Sequence, residues 1–248
     1  MDKRVILVVA CLLSLPAKSG AEDGKPWDPA LGTATITGSV KFDGKPPPMR
    51  PIDMAGADAK CAELHGGKRP KPETVVVNDN GTLRNVFVWV KAGIEGWSFP
   101  PAEGDAALDQ KGCMYHPHVQ FVRKDQSISV KTSDPTAHNV HGYGKVNRPF
   151  NRSQPAGAAD VVVKMNRDEV PPMKVKCDIH PWMNAYIAVV AHPYYAVTGP
   201  DGSFKLANLP PGTYTVETWH EKYEAMEQTV TIGGNQTQAI EFTYPEKK

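Results

Sequence analysis

Glycine and proline interrupt this chain so often that long helices are disfavoured. The 248 residues include 21 Gly and 23 Pro. Proline removes a helical hydrogen bond, and glycine weakens a helix through its backbone freedom. Between these breaks lie short apolar or alternating runs, and no amphipathic helical period of useful length is found. The sequence therefore predicts an all-β protein.

The apolar runs predict two β-sandwiches. A chain of this length suits one large domain or two compact ones. After His192 the sequence pattern changes to one typical of β-hairpins, with turn signals at Asp201-Gly202 and at 209–212. The predicted strands are 33–42, 85–90, 119–122, 127–131, 160–165, 173–177, 185–191, 203–206, 214–219, 230–232 and 239–244.

Charge balance argues against a nucleic-acid partner. The chain carries 28 Lys and Arg against 27 Asp and Glu, a net charge of +1. Nucleic-acid binding needs a clustered basic surface that neutralises phosphates. We therefore expect no nucleic-acid partner.

The N-terminus has the layout of a secretory signal peptide over residues 1–21. A basic start precedes an apolar run at 5–15, and small residues at 19–21 offer a cleavage site. The run is shorter than the ~20 apolar residues that span a bilayer. We expect a periplasmic or secreted protein whose mature chain has no transmembrane segment and starts with a linker at 22–32. An uncleaved membrane anchor, a buried helix or a lipid on Cys11 are the alternatives.

Signal cleavage would remove Cys11 and leave Cys61, Cys113 and Cys177. An odd number of cysteines in an oxidising compartment indicates a reactive thiol, an intermolecular bridge or a metal thiolate.

The most specific motif places a thiolate, an imidazole and a thioether in one short loop. Cys177, His180 and Met183 lie between two predicted strands, and His138 follows an earlier strand. Two imidazoles, a thiolate and a weak axial thioether suit copper in both of its oxidation states. Zinc also accepts Cys and His, but a thioether contributes little to it. The pattern favours copper.

The loop C-x-x-H-P-x-M, the segment H-N-V-H and the strands between them resemble blue copper proteins of the cupredoxin family, of the amicyanin and plastocyanin type. The resemblance covers about 109–191 and implies a Greek-key β-sandwich with one type 1 copper. It implies that His141 is not a ligand and that Asn139 ties its loop to the cysteine loop. The implied copper ligands are His138, Cys177, His180 and Met183.

The same resemblance implies an electron port at the loop. The ring edge of His180 would reach the surface, and Pro181 and Trp182 would form part of an apolar docking patch. With Cys177 on the metal, Cys61 and Cys113 remain for a disulfide. A second metal site at Cys113, His116 and His118 is the competing interpretation.

The ends of the chain resemble a carboxypeptidase regulatory-like, transthyretin-type sandwich. The resemblance is carried by 36–44, 85–90, 201–206 and 209–214. Because the copper motif lies between these parts, we expect a sandwich split into 33–108 and 192–245, with the cupredoxin domain inserted at 109–191. Two tandem domains are the alternative. The arrangement also resembles cupredoxin-like proteins labelled methylamine utilization proteins, a label that assigns no substrate.

These observations predict an electron carrier rather than an enzyme. Copper oxidases and nitrite reductases link a second copper through a His beside the cysteine ligand, but Lys176 and Asp178 flank Cys177. The expected partners are redox proteins, such as a cytochrome or a dehydrogenase, that bind through a transient interface. The alternatives are copper delivery or storage, and a carbohydrate-binding or adhesive module that uses Trp97 or Trp219.

Overall fold

The structure is a computed structural model that describes residues 24–247, and it confirms the all-β class. The signal peptide predicted for 1–21 lies outside these residues. Within 24–247, no helix is long and apolar enough to cross a membrane. The elements are β1 (Lys25–Pro26), a 3-10 turn (Pro29–Leu31), β2 (Ala34–Asp43), α1 (Ala59–Leu64), β3 (Phe87–Ala92), β4 (Trp97–Ser98), β5 (Ala106–Lys111), β6 (Met114–His116), β7 (Val119–Arg123), β8 (Ser127–Thr132), β9 (His138–Gly142), β10 (Phe150–Gln154), β11 (Val161–Lys164), β12 (Glu169–Lys176), β13 (Asn184–Val190), β14 (Tyr195–Val197), β15 (Ser203–Leu209), β16 (Gly212–His220), β17 (Tyr223–Ile232) and β18 (Thr237–Pro245).

The strands form two sandwiches. The first, which we call the inserted sandwich, has sheets ordered β10-β9-β12-β13-β7 and β11-β8-β5-β6. The second, the split sandwich, has sheets ordered β14-β3-β16-β17 and β15-β2-β18. Strands β2 and β3 precede the inserted sandwich in the chain, yet they pair with β14, β15, β16 and β18, which follow it. The split sandwich is therefore closed by strands from both ends of the chain.

Alternation of apolar and polar residues builds the core of the split sandwich. On β2, Ala34, Ile36 and Val40 are buried, and they pack with Leu206 of β15 and Val216 of β16. Such alternation is expected of a strand with one face on a core. The predicted Asp201-Gly202 turn leads into β15, and the glycine adopts φ +68°, which suits a residue without a side chain.

Strand β3 connects the two sandwiches through its second face. Val88 and Val90 point into the split core, whereas Phe87 and Trp89 pack on β7 and β13, including Phe121. A strand that is buried on both faces has a continuous apolar run. This explains why the run at 86–90 lacks polar residues.

The segment between β2 and β3 crosses to the inserted sandwich. Ile52, Met54 and Cys61 pack in its core, and β5, which begins at Ala106, already pairs with β8. Part of the range 33–108, expected to lie in the split sandwich, therefore belongs to the inserted one. The sequence did not reveal this crossing segment, because its helix α1 is only six residues long and is too short to show an apolar helical period.

The predicted linker at 22–32 is not a free linker over its described part. Strand β1 pairs with β4, and the Trp27 ring packs edge-on against Tyr194 and next to Phe99. The large apolar area of one indole is enough to hold a short polar segment against the core.

Candidate metal centre

The four predicted ligands lie at one end of the inserted sandwich. His138 begins β9, and Cys177, His180 and Met183 occupy the loop between β12 and β13. Backbone hydrogen bonds close this loop, since the Cys177 N–H donates to the Met183 carbonyl (3.2 Å) and the Met183 N–H donates to the His180 carbonyl (2.9 Å). The short loop thus holds three donor residues together, and the side chains of Cys177 and His180 meet His138 at the start of β9.

Three of the donor atoms lie together in the core. The Nδ1 atoms of His138 and His180 are 3.0 Å apart, and Cys177 Sγ is 3.8 Å from His180 Nδ1. All three donor atoms lie within 4.8 Å of one another. None of the three side chains, nor that of Met183, is more than 1 % exposed.

The Nε2 atom of each imidazole lies within hydrogen-bond distance of a carboxylate. His138 Nε2 is 3.0 Å from Asp134 Oδ2, and His180 Nε2 is 3.1 Å from Asp58 Oδ2. A neutral ring that donates from Nε2 has its lone pair on Nδ1. The two lone pairs therefore face each other, an arrangement that needs a proton or another cation between them. Histidines that bind metals commonly donate their second N–H to a carboxylate.

The electrostatics of the centre favour a thiolate. Burial raises the pKa of Cys177, but hydrogen bonds to His138 and His180 outweigh it and bring the pKa down to about 6. Burial likewise lowers the pKa of His138, but its bonds to Asp134 and Cys177 raise it to about 9. A charged sulfur beside two imidazoles is a donor set for a soft cation.

The donor set fits a single metal ion. Bonds of about 2.0–2.1 Å to nitrogen and 2.3 Å to sulfur allow separations of up to about 4.1 Å between two nitrogens and about 4.4 Å between nitrogen and sulfur. The 3.0 Å and 3.8 Å separations lie within these limits. Met183, from the same loop, is fully buried in the apolar core that also holds Cys177. Copper accepts a thioether, whereas zinc does not favour one.

Asn139 joins the two loops that carry the donors. Its Oδ1 accepts from the Asp178 N–H (2.7 Å) and faces Cys177 Sγ (3.4 Å), and its Nδ2 donates to Asp178 Oδ2 (2.9 Å). The amide therefore fixes the position of the sulfur relative to β9.

The expected electron port at His180 is not at the surface. The ring is only 1 % exposed, because Asp58 at the start of α1 bonds to its outer nitrogen. Pro181 is exposed, but the Trp182 indole N–H donates to the Cys113 carbonyl (2.9 Å) and the ring is partly buried. The prediction failed because the covering segment is distant in sequence.

The disulfide Cys61–Cys113 is present and forms part of this cover. Cys61 Sγ lies 3.5 Å from His180 Nε2. The alternative second site at Cys113, His116 and His118 does not form, since Cys113 is oxidised. His116 bonds to the Lys111 carbonyl, and His118 is held by the Asn184 carbonyl and Glu221.

Asp58 and Asp134 were missed by sequence reasoning. Asp58 shows a helix-cap signal, and its Oδ1 indeed accepts from the Lys60 N–H. Asp134 lies four residues before His138 and also accepts the N–H groups of Gly112 and Cys113. A cap signal predicts a helix start, but it carries no information about a histidine 122 residues away.

Comparisons with known proteins agree with this architecture in part. A family model described as a carboxypeptidase regulatory-like domain matches residues 179–245. The C-terminal part of this chain is similar to that family. No curated protein matches the chain.

Several solved copper proteins show a weak likeness to the chain. A reduced Cu(I) form of an amicyanin mutant is 18% identical with a TM-score of 0.30, over 36% of this chain and 84% of that one. A purple cupredoxin from Nitrosopumilus maritimus is 16% identical with a TM-score of 0.27, over 34% and 99%. A copper-containing nitrite reductase from Thermus scotoductus is 16% identical with a TM-score of 0.28, over 34% and 22%.

Proposed function

We propose that the protein is a periplasmic or secreted type 1 copper protein that carries single electrons between redox proteins. One observation carries the proposal. Two buried imidazoles, each held by a carboxylate, turn their Nδ1 atoms toward each other beside the Cys177 thiolate. When bound, copper would supply a one-electron redox couple, and His138, Cys177, His180 and Met183 would hold it.

The chain's own residues support electron transfer rather than catalysis. The donors are buried and braced, so the same arrangement serves both oxidation states with little movement. Electron transfer needs no substrate pocket beside the metal. The His180 side of the site is covered by Asp58 and by the Cys61–Cys113 disulfide. We therefore propose a carrier and not an enzyme.

Burial also argues against copper delivery or storage. Copper exchange needs an accessible donor, whereas Cys177, His138 and Met183 are fully buried. We therefore expect the protein to release copper slowly.

The proposal is tested by loading the purified protein with Cu(II). We expect one copper per chain and an intense visible thiolate-to-copper absorption. Cys177→Ser should abolish this absorption, whereas His141→Gln, which changes an imidazole outside the donor set, should keep it. A colourless wild-type protein, or a coloured Cys177→Ser variant, would refute the proposal.

A second candidate function rests on a cavity of about 640 Å³ beside the split sandwich. Trp89, Trp97 and Trp219 line it together with Glu217, and aromatic rings with a few polar groups can bind a sugar. Binding to a glycan array, lost in Trp97→Ala, would support an adhesive role. Equal glycan binding by the wild-type protein and by this variant would exclude the cavity.

A further inference from the structure

We infer that electrons reach the copper site through the surface beside Cys177, and that the partner is a one-electron redox protein with an acidic docking face. We call this surface the cysteine-side face and define it by His141, Tyr143, Asp178 and Ile179. The inference rests on the proposed function and adds the route and the partner chemistry.

The histidine side of the site is closed. The ring of His180 is 1 % exposed and that of His138 is fully buried. Asp58 bonds to the outer nitrogen of His180, and Cys61 of the disulfide lies against the same atom. A partner therefore cannot contact either imidazole edge directly.

The cysteine side reaches the surface within one residue. The Asp178 side chain, which follows Cys177, is 43% exposed, and Ile179 is 51% exposed. Covalent bonds alone thus connect the sulfur to a solvent-facing group. Pro181, which follows His180, is also exposed, but its ring has no polar group that could continue the connection by hydrogen bonds.

Hydrogen bonds and ring contact extend this connection to an aromatic side chain. Asp178 Oδ2 is 3.0 Å from His141 Nδ1. The Tyr143 ring stacks on His141 with centroids 4.0 Å apart, and its hydroxyl lies 3.1 Å from His141 Nδ1. Tyr143 is itself 41% exposed. Exposed aromatic and apolar side chains with a polar rim are typical of the centre of a protein interface.

The charges around this face are mainly positive. Lys176 is the cross-strand neighbour of His141, the Lys174 carbonyl accepts the backbone N–H of Tyr143, and Lys145 lies two residues further along the chain. The Asp178 carboxylate, which accepts hydrogen bonds from Asn139 and Asn151, keeps its negative charge, so the three lysines leave this face with a positive excess. Such a surface attracts a partner of negative potential and speeds the encounter.

The transfer itself moves one electron and no atoms. The partner loses one electron and is oxidised, and the copper(II) site gains it and becomes copper(I). The reverse reaction reduces the next partner. No bond forms or breaks, and no proton is required.

The route is tested with ferricyanide, a trianion that takes one electron and becomes ferrocyanide. Stopped-flow measurements follow the oxidation of the copper(I)-loaded full chain at low and high salt. The test variant is Lys176→Glu. Its matched control is Lys60→Glu on α1, an exposed lysine next to Asp58 with the same charge change on the histidine side.

We expect Lys176→Glu to slow the reaction about fivefold at low salt and to approach the wild-type rate at high salt, since salt screens surface charges. Lys60→Glu should react at the wild-type rate. The visible spectrum and reduction potential of both variants should match the wild type. Lys174→Glu repeats the test and should also slow the reaction if Lys176→Glu does not fold.

A larger slowing by Lys60→Glu, or equal rates for all variants, would overturn the inference while leaving the copper proposal intact. A wild-type protein without the thiolate-to-copper absorption would overturn both. The two failures are therefore distinguished by the spectrum that precedes the kinetics.

Discussion

The two sides of the candidate metal centre are built from different parts of the chain. The cysteine side consists of residues adjacent to the ligands, such as Asp178 beside Cys177 and Asn139 beside His138. The histidine side is covered by a segment from far upstream, which Asp58 and the Cys61–Cys113 disulfide attach to the site. One short loop therefore supplies three of the four proposed ligands, and a distant segment determines which edge of the site contacts solvent.

The largest effect should come from removing the cover. The disulfide joins residues 52 positions apart, and closing a loop of this size is worth about 4 kcal/mol in the chain-entropy model. Cys61→Ala with Cys113→Ala should lower the free energy of unfolding by this order in urea titrations. Faster removal of copper by a chelator should accompany it. An unchanged chelation rate would show that the disulfide does not close the histidine side.

Titration of the metal-free protein tests the charge on the cysteine side. The lowered pKa of Cys177 alone would add stability above its unfolded value of about 9, lost as pH falls through about 6. The raised pKa of His138 alone would add stability below 6.5, lost as pH rises through about 9. The signs oppose, so the free energy of unfolding should change little between pH 6.5 and 9.

The ultraviolet absorbance of the thiolate measures the charge on Cys177 directly. Its ultraviolet absorbance should persist down to about pH 6 in the metal-free protein and should be absent from Cys177→Ser. If the absorbance disappears near the ordinary thiol pKa of about 9, the imidazoles do not stabilise the sulfur as described.

The two carboxylates behind the imidazoles should differ in importance. The Asp134 side chain is 2% exposed and binds two backbone N–H groups as well as His138, whereas that of Asp58 is 22% exposed. Asp134→Asn should cost about 3 kcal/mol of unfolding free energy and Asp58→Asn about 1 kcal/mol. Urea unfolding of the metal-free variants measures both, and equal losses would contradict this ranking.

The smallest loss of stability should come from the contact between the ligand loop and the disulfide that covers His180. The Trp182 indole N–H donates to the Cys113 carbonyl at 2.9 Å. Trp182→Phe keeps a ring but removes this bond, so we expect a loss of about 1 kcal/mol with the visible spectrum preserved. A change in the spectrum would mean that the indole also positions His180.

Much of the fold could be predicted from pattern alone. Alternating runs identified β2, β8 and β15, and turn residues placed the hairpins after His192. Strands β9 and β10 were not predicted, because His, Asn and Arg interrupt their apolar pattern. They are strands because each pairs with a neighbouring strand, and pairing is not visible in one strand's residues.

The sequence by itself determined three of the four proposed donors, because Cys177, His180 and Met183 are close along the chain and one short loop must bring them together. Only the tertiary structure decided that Asp58 holds the outer nitrogen of His180 and that this ring is covered. The physical reason is separation along the chain. Contacts within one turn follow from local geometry, whereas the cover depends on packing and a disulfide between distant segments.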